Sequence, residues 1–311
     1  MNLLISPHPK KRNRNIQAGF FLLDKPSGLT SRAALNQIKR SLSIQKIGHT
    51  GTLDKFASGL QIIPFGAYTS FADAFLKQDK TYRFTASYGT YTDSGDSQGD
   101  VLRSWTNAEV AVYYQKNRSE ILRRTQEIQE WKEQIPPKIS ALKVGGKRQS
   151  DLYRSGISFA SKSRPMEIYK LQVLQLTERE LEVEIHVSSG TYIRKLVMDL
   201  SDLLGLPMHV SRLRRLSVGD LGITQASTLQ DTCAGNARVY SVTELLPLPT
   251  VAVTAEEKLE IQYGRYLPHS YPFKKFLFID DKSQKVLAWC ESTNKKENSS
   301  YRYLRVFSVP E

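Results

Sequence analysis

The sequence predicts a mixed α/β protein of the α+β kind, with a largely antiparallel core followed by a small β-rich domain. Three observations carry this. Two segments, "KTYRFTASYGTYT" and "LEVEIHV", alternate with the period of a half-buried strand. Helical spacing recurs between strands without the regular βαβ rhythm of a parallel sheet. Beyond "LLPLPT" at residues 245–250 come three short apolar runs, "FLFID", "VLAWC" and "YLRVFSV".

The chain opens with "MNLLISPHPKKRNRN", in which the basic cluster follows Pro7 and Pro9, the wrong order for a signal peptide. Residues 1–18 are expected to be a flexible basic arm. From Gly19, "GFFLLDKPSG" reads as a buried strand broken by a turn with Pro26 and Gly28. Thr30 then caps a helix whose apolar stripe is Leu35, Ile38 and Leu42. The next stretch, "GHTGTLDKFASG" at residues 48–59, has neither period. Its glycines and threonines suit a loop that presents Asp54 in one pose, and equally an ordinary turn with a solvated carboxylate.

In the alternating strand that follows, Tyr82, Phe84, Ala86 and Tyr88 share one face. "YTDSGDSQGD" carries Asp93, Asp96 and Asp100 without the EF-hand order, so a turn held by Asx contacts is expected rather than a calcium site. The pattern predicts a helix from Arg118 to Gln134, stopped by Pro136 and Pro137, and then a long irregular basic arm, "KISALKVGGKRQSDLYRSG". A strand from Leu181 leads into a helix spaced by Ile193, Leu196, Val197, Leu200 and Leu204, which ends at Gly205. These elements set a core domain over 19–248 and a small domain over 249–311.

Composition narrows the chemistry. With 40% hydrophobic and 24% charged residues the chain is globular in kind, and Lys plus Arg at 44 against Asp plus Glu at 31 leaves a formal charge of +13. Such a field attracts polyanions, nucleic acid foremost. Cys233 and Cys290 lie far apart with no CxxC neighbour, which fits a reducing cytoplasm and neither a zinc site nor a disulfide framework. No segment approaches the roughly 18 apolar residues of a membrane span.

"VGGKR" lacks the remainder of a Walker A sequence, there is no G-x-S-x-G elbow, and the five histidines never pair at metal-ligand spacing. What remains is Asp54 in its glycine loop, Tyr82 on a strand and Arg194 in the first turn of a helix. An arginine there faces the positive end of the helix dipole, so an anion such as Asp54 is its natural partner if it is not simply a surface residue.

Five blocks in order, "GHTGTLDKFASGLQIIPFG", "KTYRFTASYGTYTDSGDSQGD", "PPKISALKVGGKRQSDLYRSG", "SSGTYIRKLVMDLSDLLG" and "HVSRLRRLSVG", resemble the ordered motifs of the TruB family of tRNA pseudouridine-55 synthases. "KPSG" at Lys25 to Gly28 fits that family's opening strand, and "EEKLEIQYGRYL" with "YRYLRVF" more weakly resembles its PUA-like RNA-binding domain. The resemblance implies an enzyme that converts one uridine in the T-loop of tRNA to its C-glycoside isomer, with no metal or organic cofactor. It implies Asp54 as the catalytic aspartate, Tyr82 as the tyrosine beside the base and Arg194 as the arginine paired with the aspartate. His49 falls where the family has a histidine near a flipped-out nucleotide, Tyr192 where an aromatic packs by the pocket, and Lys25 enters the substrate-binding set with the opening motif.

Lys143, Lys147, Arg148 and Arg154 of the arm would hold phosphates of the stem-loop. Asp54 could act as a nucleophile at the sugar or as a base at C2′, and both routes stay open. Lys55, Phe56 and Ser58 stand where the family usually has Pro, Leu and Thr, and Ser150, Tyr153 and Ser189 also depart from its pattern. Two rivals have sequence markers. A relative working inside a guide-RNA particle carries longer extensions, and a decayed RNA-binding module would lack the Asp, Tyr or Arg, all of which are present. The expected setting is a cytoplasmic monomer that binds the tRNA T-arm, with no membrane and no obligate protein partner.

Overall fold

The computed structural model describes residues 18–140, 143–159, 161–293 and 301–307, leaving out the side chains at 143, 144, 147, 148 and 150. Residues 1–17 of the expected basic arm lie outside this set. The chain divides into two units, the larger made of Phe21–Pro64 and Thr69–Val239. Of the described residues, the smaller holds 18–20, 65–68 and 240 onward. The main sheet uses strands β1 (Gly19–Lys25), β2 (Ser58–Phe65), β3 (Lys80–Tyr88), β4 (Ile168–Leu176), β5 (Glu180–Val187), β6 (Met208–Val218) and β7 (Ser227–Thr228). Their spatial order is β4-β5-β3-β6-β2-β1-β7, and Leu221–Gly222 pairs with β6 as an eighth strand. The three junctions from β4 to β6 are antiparallel, while β6 with β2 and β1 with β7 are parallel, so the sheet is mixed and largely antiparallel as expected.

Helix α1 (Ser31–Ser41) begins at Thr30, whose hydroxyl accepts the Ala33 N–H. Helix α2 (Asn107–Glu127) departs from the sequence reading, which placed a helix over 118–134. It starts eleven residues earlier, at a capping box between Thr106 and Glu109, and gives way to a 3₁₀ turn at Ile128–Glu130 well before Pro136. Its first half is mostly wet, so hydrophobic periodicity carried little signal there, while its Tyr113 hydroxyl donates to the Leu204 carbonyl (2.6 Å). The basic arm is also less irregular than expected. Lys143–Val144 and Lys147–Arg148 pair as a hairpin around Gly145 and Gly146, both at positive φ, and a short helix follows at Gln149–Arg154.

Helix α3 (Ile193–Leu204) buries Ile193, Leu196, Val197, Leu200 and Leu204 and ends on left-handed Gly205, at φ 67°. That face meets Phe84 and Ala86 of β3, Val183 and Ile185 of β5 and Val210 of β6 in one cluster, each large side chain contributing about 1.5–3 kcal/mol. Tyr82 and Tyr88 pack against it half-buried, as the alternation of β3 predicts, although Thr85 on the opposite face is buried too.

In the smaller unit, strand β8 (Thr250–Val253) precedes helix α4 (Ala255–Gln262), followed by β9 (Lys275–Asp280), β10 (Val286–Ser292) and β11 (Tyr301–Val306). They form a four-stranded sheet, β8 parallel to β9 and the others antiparallel. Phe276, Phe278, Leu287, Cys290 and Tyr301 fill its core with Ile261 of the helix.

One close approach fixes the middle of the large sheet. Where β6 lies between β2 and β3, Arg215 is registered with Gly59 on one side and Tyr82 on the other. A Cβ on Gly59 would come within 2.3 Å of the Arg215 carbonyl oxygen, and Gly59 sits at φ 111°. Gly59→Ala therefore combines a backbone clash with a conformation that L residues avoid. The expected result in urea unfolding is a loss of at least ~2 kcal/mol; near-wild-type stability would mean that β2 and β6 are not this close.

Candidate active site

Asp54 lies in a loop clamped on both sides by the segment that opens α1. The Ser31 hydroxyl donates to the Leu53 carbonyl (3.1 Å) and accepts the Leu53 N–H (3.0 Å). On the other side, Gly28 N–H donates to the Lys55 carbonyl (2.8 Å) and the Ser27 hydroxyl to that of Phe56 (2.6 Å). Phe56 is buried in the main core cluster, while Lys55 is exposed and lines the cleft that Asp54 opens on. The peptide groups around Asp54 thus have fixed partners, and its side chain stays 39% exposed.

Arg194, in the first turn of α3, is brought to Asp54. Its Nε donates to Oδ2 (2.9 Å) and its Nη2 leans on Oδ1 (3.4 Å), a two-pronged contact of the kind a planar guanidinium makes with a carboxylate. The remaining donors reach the carbonyls of Ser94 (2.5 Å) and Ile139 (3.1 Å), and Asp96 Oδ2 stands 3.7 Å from Nη1. Arg194 is 4% exposed. The loop expected as an Asx turn is one: Asp96 accepts the Gln98 N–H and the Ser94 hydroxyl, and Asp93 accepts the Asp100 N–H. It thereby presents the Ser94 carbonyl to the arginine.

These groups open on a cleft of about 1070 Å³, room for a nucleotide. Tyr82, Tyr192 and Arg154 line it with Asp54 and Arg194. The Tyr82 hydroxyl makes no hydrogen bond to another described residue. The peptide of Tyr192 is bracketed by Gln134, which donates to its carbonyl (3.1 Å) and accepts its N–H (2.9 Å). Burial pushes the Tyr192 phenol pKa up, against a hydrogen bond with Ser140. Arg154 is exposed at the rim, beside Tyr153, whose hydroxyl donates to Asp93 (3.1 Å).

Other expected residues lie elsewhere. His49 is half-buried and is not among the residues that line the cleft. Its Nδ1 is buried without a partner among the described residues, and burial, reinforced by the Arg215 charge, pushes its pKa down. Lys25 is fully buried, and its ammonium donates to the carbonyls of Pro26 (2.9 Å) and Leu29 (2.6 Å). Burial lowers its pKa to about 8, with Asp54 acting in the opposite sense. The side chains of Lys143, Lys147, Arg148 and Ser150 lie outside the described residues.

Sequence reasoning passed over Lys80 and Arg215 and read Asp96 as a turn residue only; all three are buried and line the cleft. A signal existed for the two cations. Lys80 has the same parity as Tyr82 and Phe84, and Arg215 the same parity as buried Leu213, so both are charges at inward positions of a strand. Among the described residues no group of three His, Cys, Asp or Glu is gathered to hold a metal ion, and no helix is long and apolar enough to cross a membrane.

Comparison with known proteins identifies the family. The model of the TruB family pseudouridylate synthase, N-terminal domain, matches residues 39–193. A protein of Leptospira interrogans serovar Lai named tRNA pseudouridine synthase B is 36% identical over 296 residues, covering 94% of this chain and 94% of its own length. One of the same name from Bordetella avium is 41% identical over 220 residues, 71% of this chain and 88% of its own. In the crystal structure of the archaeal box H/ACA sRNP complex, one chain superposes with a TM-score of 0.65 at 20% identity, covering 94% of this chain and 87% of its own, a likeness of fold. The chain belongs to the TruB family of pseudouridylate synthases and is an isomerase.

The buried cations give the site a pH signature. Lys80 donates to the carbonyls of Leu76 (2.9 Å), Phe75 (3.5 Å) and Gln78. Burial lowers its pKa from 10.5 to about 8, with Arg215 adding to the effect and Asp79 opposing it. Between those two values the unfolded chain holds a proton that the folded chain has released, so this group makes stability rise with pH across the window. In urea unfolding from pH 8 to 10, the wild type should gain stability relative to Lys80→Met. A difference between the two that stays flat over this range would place the Lys80 pKa at its ordinary value.

Proposed function

We propose that this chain isomerises uridine 55 in the T-loop of tRNA to pseudouridine, with Asp54 as the catalytic carboxylate. The observation that carries the reading is the buried, two-pronged contact of Arg194 with a carboxylate that stays 39% exposed at the cleft. Membership of the family and the name shared by the relatives support the substrate class. The reaction breaks the N1–C1′ bond, turns the uracil, joins C5 to C1′ and removes the C5 proton. Arg194 holds Asp54 in one rotamer, so that an oxygen can meet C1′ or take the C2′ proton. Tyr82 offers the loose uracil a flat face and a hydroxyl.

The uridine must leave the stack to reach Asp54, and in this reading His49, half-buried in the loop that leads to Asp54, moves into the vacated space although it does not line the cleft itself. Arg154 at the rim, with Lys143, Lys147 and Arg148 of the same arm, holds backbone phosphates of the T-arm. Lys25 serves the substrate through the loop it braces. In this reading residues 1–18 are a basic arm, 19–248 the catalytic domain and 249–311 a PUA-like RNA-binding domain. The enzyme works in the cytoplasm as a monomer, without cofactor or obligate protein partner.

The deciding assay incubates the protein with unmodified T-arm transcript and maps pseudouridine chemically. Asp54→Asn keeps size and hydrogen bonding but removes the charge, so single-turnover rates should fall by at least ~10²–10⁴ while RNA affinity changes little. A variant retaining a substantial fraction of activity would remove Asp54 from its role.

Tyr82 is tested by separating ring from hydroxyl. Tyr82→Phe should bind the same RNA, measured by filter retention, yet release tritium slowly from C5-labelled uridine, because the hydroxyl assists loss of the C5 proton. Release at the wild-type rate with unchanged binding would make Tyr82 a packing residue only.

A further inference from the structure

Arg215 is one of the largest fully buried side chains of the protein, at 1% exposure, and unlike Arg194 it has no carboxylate within ion-pair distance among the described residues. Its Nε donates to the Leu60 carbonyl (2.7 Å) and its Nη2 to the Gly51 carbonyl (3.3 Å), which also accepts from Gln61 (3.2 Å). Nη1 has no hydrogen-bond partner among the described residues, in a side chain that lines the same cleft as Asp54. Arg215 is the cross-strand partner of Tyr82, so the two side chains share one face of the sheet. Gly51 stands three residues before Asp54. The guanidinium therefore lies between the tyrosine and the loop of the aspartate, with one nitrogen uncommitted.

Burying a cation opposite carbonyl dipoles alone is costly, and a negative charge brought by a ligand would offset that cost. Under the functional reading above, such a charge arises in the reaction. When the N1–C1′ bond breaks, its electron pair leaves with the uracil. Asp54 loses its negative charge at that moment, either by bonding through oxygen to C1′ or by accepting the C2′ proton. One negative charge thus passes from the carboxylate to the uracil, where it is shared by N1 and the two carbonyl oxygens. It returns when C5 bonds to C1′ and Asp54 is released, after which C5 gives up its proton and N1 gains one. In the interval in which Asp54 carries no charge, the Arg194 donors stay directed at the Asp54 oxygens and two carbonyls, so the charge on the uracil is left for another fixed cation to meet.

We propose that Arg215 contacts the substrate, donating from Nη1 to a carbonyl oxygen of the uracil and stabilising the charge that departs with it. A donor prepositioned for developing charge in a water-poor site is worth ~10²–10³ in rate.

The test compares single-turnover loss of the target nucleoside in two T-arm RNAs, one with uridine and one with 5-fluorouridine, whose ring is the better leaving group. Arg215→Gln should slow uridine by ~10²-fold or more, bind RNA within about threefold of wild type, and show a defect several-fold smaller on 5-fluorouridine. If Arg215 only anchors the Gly51 carbonyl, the two RNAs suffer equally, and equal defects overturn the proposal, as does a wild-type rate on uridine. Should Arg215→Gln fail to fold, Arg215→Lys keeps a charge and most of the stem and carries the same comparison, with equal or absent defects again overturning it. A wild type that leaves both RNAs unchanged overturns the functional reading itself, whereas an active wild type with equal variant defects overturns this inference alone.

Discussion

Arg194 is a cation at the N-terminal turn of a helix, where the dipole disfavours it, and it is buried, where solvation is lost. Such a group persists only if its donors are satisfied and its charge is met. Asp54, Ser94 and Ile139 supply those partners from three segments far apart in the chain. The planar fork thus dictates where the aspartate loop, the Asp93–Asp100 turn and the start of the basic arm converge. Much of the cleft follows from satisfying one guanidinium. The carboxylate gains a fixed rotamer while keeping an open side, the combination a reacting group requires.

The same rule recurs with the other cations. Lys25 ties the turn from Pro26 to Leu29, Lys80 gathers the carbonyls at Phe75, Leu76 and Gln78, and Arg215 joins Leu60 to Gly51. Carbonyl dipoles are the hydrogen-bond partners of these charges, and each cation ties together the backbone of the loop around it. Lowered pKa values at Lys25 and Lys80, caused first by burial, express the cost of that arrangement. His49 feels it as well, since the Arg215 charge helps keep its imidazole neutral.

Sequence patterns were informative wherever a single period or cap decided the structure. The cap at Thr30, the alternation of β3 and β5, the apolar stripe of α3 and its glycine stop all act over a few residues, and each is found where the pattern put it. The reading missed the start of α2 because its exposed first half has little apolar stripe, although the Thr106–Glu109 capping box was there to be seen. The arm reads as irregular because its polar, basic residues carry neither period, while the hairpin is made by the Gly145–Gly146 pair at positive φ.

By itself, then, the sequence determined the local elements, the mixed sheet with its small β-rich companion, and the ordered motifs through which the family resemblance singled out Asp54, Tyr82 and Arg194. These depend on periodicity, caps and residue identity, which are properties of neighbours along the chain. Only the tertiary structure decided that Arg194 is buried on Asp54, that Lys25 braces a turn, that His49 stands apart from the lining of the cleft, and that Arg215 sits beside Tyr82 with a nitrogen unbonded among the described residues. In the sequence Arg215 is one of three arginines in "RLRR", two of which, Arg212 and Arg214, pair with Glu180 and Asp24 on the other face. What separates it from them is the register of β6 between β2 and β3, and register is set by pairing across the sheet, where contacts between distant residues fix which charges go inward.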